Sequence, residues 1–107
     1  MIANLSHLHN LDSISKPRLM HEQGLSAYNR EWYRSGCFRG PVLSFDCLII
    51  RRDSVIGYVQ NSFGRFTSET KELFTSVKSG DQIHFLNIVA QGMDAQQHLD
   101  PVKLTVK

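Results

Sequence analysis

The sequence predicts a mainly-β fold with one or two short helices. Three observations carry that expectation. Residues 42–50 form the most apolar stretch and alternate along the chain, residues 82–90 alternate with a one-residue slip, and residues 102–107 alternate again. Between them stands one fully signalled helix, at residues 67–80, with a start and a stop written in side-chain chemistry.

Residues 1–13 are a lead-in or a loose strand, in which Leu5, His7, His9 and Leu11 share one parity. Two histidines on one strand face can approach a metal, but no third ligand stands at a recognisable spacing, so no metal site is expected. Residues 14–107 read as one β-rich domain. Its first element is a short helix, with Ser15 as N-cap, Pro17 in the first turn where a missing N–H costs little, Leu19 and Met20 facing inward, and Gly24 past the end.

Leu25, Ala27 and Tyr28 begin a strand-like passage that runs into Trp32 and Tyr33. Aromatic side chains bury more area than any others, so core packing or an interface is expected there, with a small-ligand pocket using Trp32, Tyr33 and Tyr58 as the alternative. Gly36, Gly40 and Pro41 break the chain before the central strand. In that strand Leu43, Phe45, Cys47 and Ile49 share a buried face, while Ser44, Asp46 and Leu48 share a partly covered one. Arg51 to Ser54 connect it to a hairpin partner at residues 55–60, and residues 61–64 lead to the main helix.

In the main helix Thr67 or Ser68 accepts from the free N–H groups of the first turn, and Glu69 and Glu72 place negative charge near the positive end of the dipole. Leu73, Phe74 and Val77 form the buried stripe, with Lys71, Thr75 and Lys78 in water. Gly80 supplies the left-handed stop, and the helix spans about three turns. Ile83 and Phe85 then alternate inward, and Ile88 and Ala90 continue out of phase, which predicts a β-bulge near Leu86 and Asn87. A turn at Gly92, Met93, Asp94 and Ala95 returns the chain through His98 and Leu99. Pro101 precedes a last strand at Val102, Lys103, Leu104, Thr105 and Val106, read as an edge.

The composition bounds the function. A chain of 107 residues buries a core without metal or disulfide, and 41% hydrophobic with 21% charged residues is ordinary for a globular domain. A net charge of +2 with scattered basic residues, apart from Arg51 and Arg52, does not make a nucleic-acid footprint. No apolar run approaches the length of a membrane span, so no direct membrane insertion is expected, and no basic start with an apolar core forms a signal peptide. On that reading the chain is cytoplasmic if free-standing, and work outside the cytoplasm requires it to be a fragment of a longer anchored or secreted protein. Cys37 and Cys47 are read as free structural thiols, with a disulfide as the alternative in an oxidising compartment.

Catalytic chemistry finds little support. His84, Asp46 and Ser44 imitate a hydrolase triad in composition only, and no nucleophile elbow, phosphate-binding glycine loop or metalloprotease motif is present. A hydrolase-like enzyme is the remote alternative, and no catalytic residue and no cofactor are expected.

Several pieces, taken in order, resemble the C-terminal domain of the GldM/PorM family, periplasmic shaft proteins of the Bacteroidetes gliding and type IX secretion motor. They are the strand entry at residues 41–45, the approach to the helix at 61–69, the run at 77–88, the turn at 90–94 and the closing segment at 99–106, with the helix and strand of 14–28 upstream. Met93, Ala95 and Gln96 depart from that family's turn. The resemblance implies a β-sandwich, immunoglobulin-like or related, and a periplasmic protein-binding module. Its implied partners are outer-membrane-associated motility or secretion subunits. The expected interaction surface is Trp32, Tyr33, Arg51, Arg52 and the strand Val102, Lys103, Leu104, Thr105 and Val106, through which a homodimer or β-augmentation is also expected.

Overall fold

The computed structural model describes residues 2–5, 13–28, 39–91 and 95–107. Its elements are β1 (Ile2–Leu5), β2 (Ser13–Ile14), α1 (Lys16–His21), β3 (Leu25–Tyr28), β4 (Arg39–Arg51) and β5 (Ser54–Asn61). After these come α2 (Ser68–Thr75), β6 (Gln82–Gln91), β7 (Gln96–Leu99) and β8 (Val102–Val106). The expected mainly-β class with two short helices is the observed one.

The architecture hangs on the antiparallel pair β4 and β6. The strand order is β1-β3-β4-β6-β8-β2, with β5 also on β4 and β7 also on β6. One end of β4 carries β3 and, beyond it, β1, while the other end carries β5. β6 divides its second edge in the same way, with β8 along its first half and β7 along its second. Long strands that pass from one strand group to another through bulges are a device of β-sandwiches, and this arrangement is compatible with that layering.

Two bulges of opposite sense lie in the middle of the pair. Asp46 pairs with Leu86 and Ser44 with Val89, so β6 carries one residue more than β4 between them, and Asn87 there has φ +50°. Val42 pairs with Ala90, so the extra residue now lies on β4, at Leu43. The first bulge is the one the broken alternation predicts: Ile83 and Phe85 before it, and Ile88 and Ala90 after it, are all fully buried. The second was not foreseen. It turns Leu43 off the core face, leaves it half-buried, and puts Val42 inside instead.

Four phenylalanines fill the centre. Phe66, in the approach to α2, meets Phe45 at 5.9 Å and Phe74 at 5.0 Å edge-on, and stacks on Phe85 at 5.7 Å. Such contacts contribute about 0.5–1.5 kcal/mol each beyond the area they bury. Ile14, Leu19, Cys47, Ile49, Leu104 and Val106 join the same core.

Helix α2 begins where its chemistry predicts. The Thr67 hydroxyl accepts from the Thr70 N–H at 3.3 Å. Thr70 itself is fully buried, because Asn61 at the end of β5 reaches it: Asn61 Nδ2 donates to Thr70 Oγ1 at 2.8 Å, and Asn61 Oδ1 accepts from the Thr67 N–H at 3.1 Å. The helix stops sooner than expected. It spans eight residues, with Ser76 as C-cap, and Gly80 (φ +93°) is the third residue of a separate turn closed by the Asp81 N–H on the Lys78 carbonyl at 3.0 Å. Val77 is buried although it lies beyond the helix.

Lys71, expected in water, is half-buried and donates to the backbone carbonyls of Met20 and Glu22 at the end of α1. Lys16 returns the contact, donating to the Thr75 carbonyl at 2.6 Å. Each helix therefore receives a cation from the other at its negative end.

Two further expectations change, and one contact is new. The central strand runs through Gly40 and Pro41 instead of starting after them. Pro41 pairs with Ser26 of β3, and the first pairing of β4 with β6 comes only at Val42, so among the described residues Pro41 has a strand partner on one side alone, where a proline is tolerated. Gly24 is not a helix stop. It bridges to Arg65, and a Cβ there would lie 2.0 Å from the Gly64 carbonyl oxygen, so the close approach of two backbones demands glycine. β2 pairs in parallel with Thr105 and Val106 of β8, a contact with no local signal in the sequence.

Two substitutions test this account. Asn87→Val is expected to cost about 1–2 kcal/mol, because a β-branched residue resists the left-handed region, while Asn87→Gly stays close to neutral. Equal urea midpoints for the two would remove the bulge as a conformational constraint. Asn61→Ala, which leaves the Thr67 N–H without its partner and the buried Thr70 hydroxyl dependent on the Thr67 hydroxyl at 3.1 Å, is expected to cost about 2 kcal/mol by the same measurement.

Candidate docking surface

The register divides the β5-β4-β6-β8 half of the sheet into two faces. Phe45, Cys47 and Ile49 of β4 face the core, with Ile83 and Phe85 opposite them. The other face is built in rows. Tyr58, Leu48, His84 and Lys103 are aligned in one, and Val55, Ile50, Gln82 and Thr105 in the next. None of these eight residues is fully buried. Leu19 of α1 and Phe74 of α2, with Val77 just past the second helix, are buried on the core side.

Along this open face β5 is a free edge. It pairs with β4, and no second strand joins it among the described residues. Its sequence, Ser-Val-Ile-Gly-Tyr-Val-Gln-Asn, holds no charge and no proline, the usual guards of an edge. A bulge at Ile56, where Ile49 pairs with Gly57 and Ile50 with Val55, supplies the only irregularity. The large exposed apolar residues collect here: Val55 at 59%, Ile56 at 42% and Tyr58 at 50% exposure on the strand, and Phe63 at 76% in the loop leaving it. On the core side of β5, Gly57 lies under Leu73 of α2, whose Cδ1 would be 2.2 Å from any Cβ there. Helix packing thus occupies one face of the strand and leaves the other free.

The expected surface residues fall in different places. Trp32 and Tyr33 lie outside the described residues, as do Cys37, His7 and His9. In β8, Leu104 and Val106 are buried in the core, Lys103 and Thr105 point to the open face, and Val102 is half-buried. That strand is an edge only in part, since β6 flanks it on one side and β2 covers Thr105 and Val106 on the other. The edge that carries exposed apolar side chains is β5. The alternation of residues 55–60 announced a strand, but its edge position follows from pairings far apart in the chain.

Arg51 and Arg52 separate in role. Arg52 (φ +49°) and Asp53 (φ +65°) form the two-residue turn between β4 and β5, and both are exposed. Arg51 is committed to a clamp. Its Nε donates to Asp81 Oδ1 at 2.9 Å, and its Nη2 donates to Asp81 Oδ2 at 2.8 Å and to the Ser76 carbonyl at 3.1 Å. Asp81, 2% exposed, also accepts from the Lys78 N–H at 2.8 Å. The Arg51 hydrogen bonds hold the Asp81 carboxyl below its ordinary range against the opposing effect of burial, with the Lys78 N–H assisting.

Asp46 and His84 share the open face, since His84 stands opposite Leu48, two residues from Asp46. They make no hydrogen bond to each other. Asp46 accepts from Asn87 Nδ2 at 2.7 Å, and His84 Nε2 lies 3.1 Å from Gln82 Oε1. Partial burial, and then Lys103, hold the His84 imidazole below its usual range. Tyr58, the described member of the aromatic pocket expectation, stands on the open face and receives a hydrogen bond from Gln60 at 3.1 Å. Cys47 is a free, buried thiol whose pKa burial pushes up to about 12, which leaves it unreactive. Among the described residues no three His, Cys, Asp or Glu side chains converge as a metal site, and no helix is long and apolar enough to cross a membrane.

Fold and surface together define a class: a mainly-β domain with one sheet face packed under helices and the other open beside an uncharged edge. Compared with known proteins, the chain matches no family model, no curated protein and no solved structure.

The clamp has a pH signature. The folded-state pKa of Asp81 lies below its unfolded value, so its stabilisation is fully present above about pH 4 and is lost as pH falls through the folded value. Asp81→Asn is expected to lower the urea midpoint at neutral pH and to bring the variant and wild-type curves together in acid. A constant gap between them at all pH values would contradict the clamp as an ion pair.

Proposed function

We propose that this domain is a non-enzymatic protein-interaction module that receives an extended segment of a partner along the free edge of β5. The observation that carries the reading is the concentration of Val55, Ile56, Tyr58 and Phe63 on one uncharged edge strand and its exit loop. Unpaired backbone N–H and C=O groups along such an edge supply affinity, and alternate side chains supply selectivity. Leu48 and Ile50, half-buried in the open face beside it, extend the apolar surface under an added strand. The same edge serves a second copy of the chain, because a strand without charge meets itself without repulsion.

The finer reading is a terminal module of a periplasmic motor shaft, with outer-membrane-associated motility or secretion subunits as partners. It rests on the resemblance of residues 14–107 to the GldM/PorM C-terminal domain. The open face and the β5 edge are the surfaces such partners would meet.

Light scattering at high micromolar concentration, read together with amide exchange, tests the edge. The wild-type chain is expected to form a dimer in which β5 amides slow their exchange. Ile56→Lys with Tyr58→Lys is expected to abolish it without lowering the thermal midpoint by more than a few degrees. A wild-type chain that stays monomeric, with β5 amides exchanging at one rate across the concentration series, removes this edge as the docking surface.

A further inference from the structure

We infer that the recess between the β4–β5 turn and the turn at residues 78–81 is an anion site that takes a phosphate group. The inference is independent of the docking edge. The recess has a volume of about 480 Å³ and is lined by Arg51, Arg52, Lys78, Ser79, Gly80 and Asp81. The sequence places Arg51 and Arg52 some 27 residues from Lys78, and the Arg51–Asp81 clamp brings the two turns together.

Charge decides the ligand class. Three cations and one carboxylate line the recess, and Arg51 takes both oxygens of that carboxylate. Among the described residues Arg51–Asp81 is the only ion pair, so neither Arg52 nor Lys78 closes a salt bridge, and although Lys78 also feels the Asp81 charge, the lining keeps two cations in excess of its one carboxylate. Two unpaired cations around one cavity match a dianion, and a phosphate monoester brings that charge with oxygens able to accept from both. Further donors are at hand in the Ser79 hydroxyl and in Arg51 Nη1, since the clamp uses only Nε and Nη2. The Gly80 N–H is already committed to the Val106 carbonyl at 2.8 Å, so recognition here rests on side chains. A metal cation is disfavoured, because the single carboxylate has no oxygen to spare. The volume exceeds that of a phosphate alone and leaves room for the group it esterifies.

The test is an amide chemical-shift titration of the whole chain at low ionic strength, with inorganic phosphate and phosphoserine as probes and sodium chloride at matched ionic strength as control. Saturable shifts at Arg52, Ser79 and Gly80, with a dissociation constant in the millimolar range or tighter, are expected for at least one phosphate probe. Arg52→Asn with Lys78→Gln is expected to weaken binding about tenfold or more, equivalent to losing the two charge-assisted contacts. Asparagine suits the left-handed backbone of Arg52, and Lys78→Gln alone provides a second variant that leaves this turn untouched. Tighter binding of phosphoserine supports an esterified ligand, and equal binding supports the free anion. Shifts reproduced by chloride, or unchanged in both variants, overturn the site.

Discussion

The extra residue at Asn87 is the constraint on which the rest of the structure depends. A strand that kept a strict two-residue period from Gln82 to Gln91 would direct Ile88 and Ala90 away from the face that holds Ile83 and Phe85. The left-handed backbone at Asn87 returns them to the core, and its side chain donates to Asp46 across the pair. The compensating bulge at Leu43 restores the register before β3 joins, so one long strand pair serves two strand groups. Without these two slips, β4 and β6 could not bury a common face over their whole length.

Helix α2 is then tied to the β4–β5 hairpin at both ends by polar contacts. Asn61 holds its N-terminus through Thr67 and Thr70, and Arg51 holds its C-terminus through the Ser76 carbonyl and Asp81. Each anchor buries polar groups, which is tolerable only because nearly every donor and acceptor finds a partner. Glu22 Oε2 is the exception among the described residues, and nothing in the packing explains it. Pinning the helix over one face of the hairpin, with Leu73 on Gly57, leaves the other face and the β5 edge open. The surface proposed for docking and the basic recess are therefore products of the same anchoring.

The clamp has a second effect. By neutralising Asp81, Arg51 removes the only carboxylate among the residues lining the recess and leaves Arg52 and Lys78 to set its sign. An ion pair of this kind adds little net stability once its desolvation is counted, but it fixes where two turns meet. Geometry is what a binding site requires of it.

Much of the fold was legible from local pattern. The period-two runs located β4, β5, β6 and β8, the interrupted alternation located the bulge at Asn87, and the Thr67 hydroxyl marked the start of α2, because each is a property of a few neighbouring residues. The end of α2 was misplaced because Gly80 looks the same in sequence whether it terminates a helix or occupies a later turn, and the early stop is decided by packing around Ser76 and Arg51. Pro41 within a strand, Gly24 against Gly64, and β2 beside β8 depend on chain segments far apart. So does the identity of the free edge. The sequence alone determined which stretches could form strands and, apart from the Val42–Leu43 end of β4, which face of β4, β6 and β8 is buried. Only the tertiary structure decided that β8 is flanked, that β5 is exposed and that Arg51 belongs to Asp81, because strand order and long-range ion pairs are settled by which segments meet, and no local periodicity encodes that.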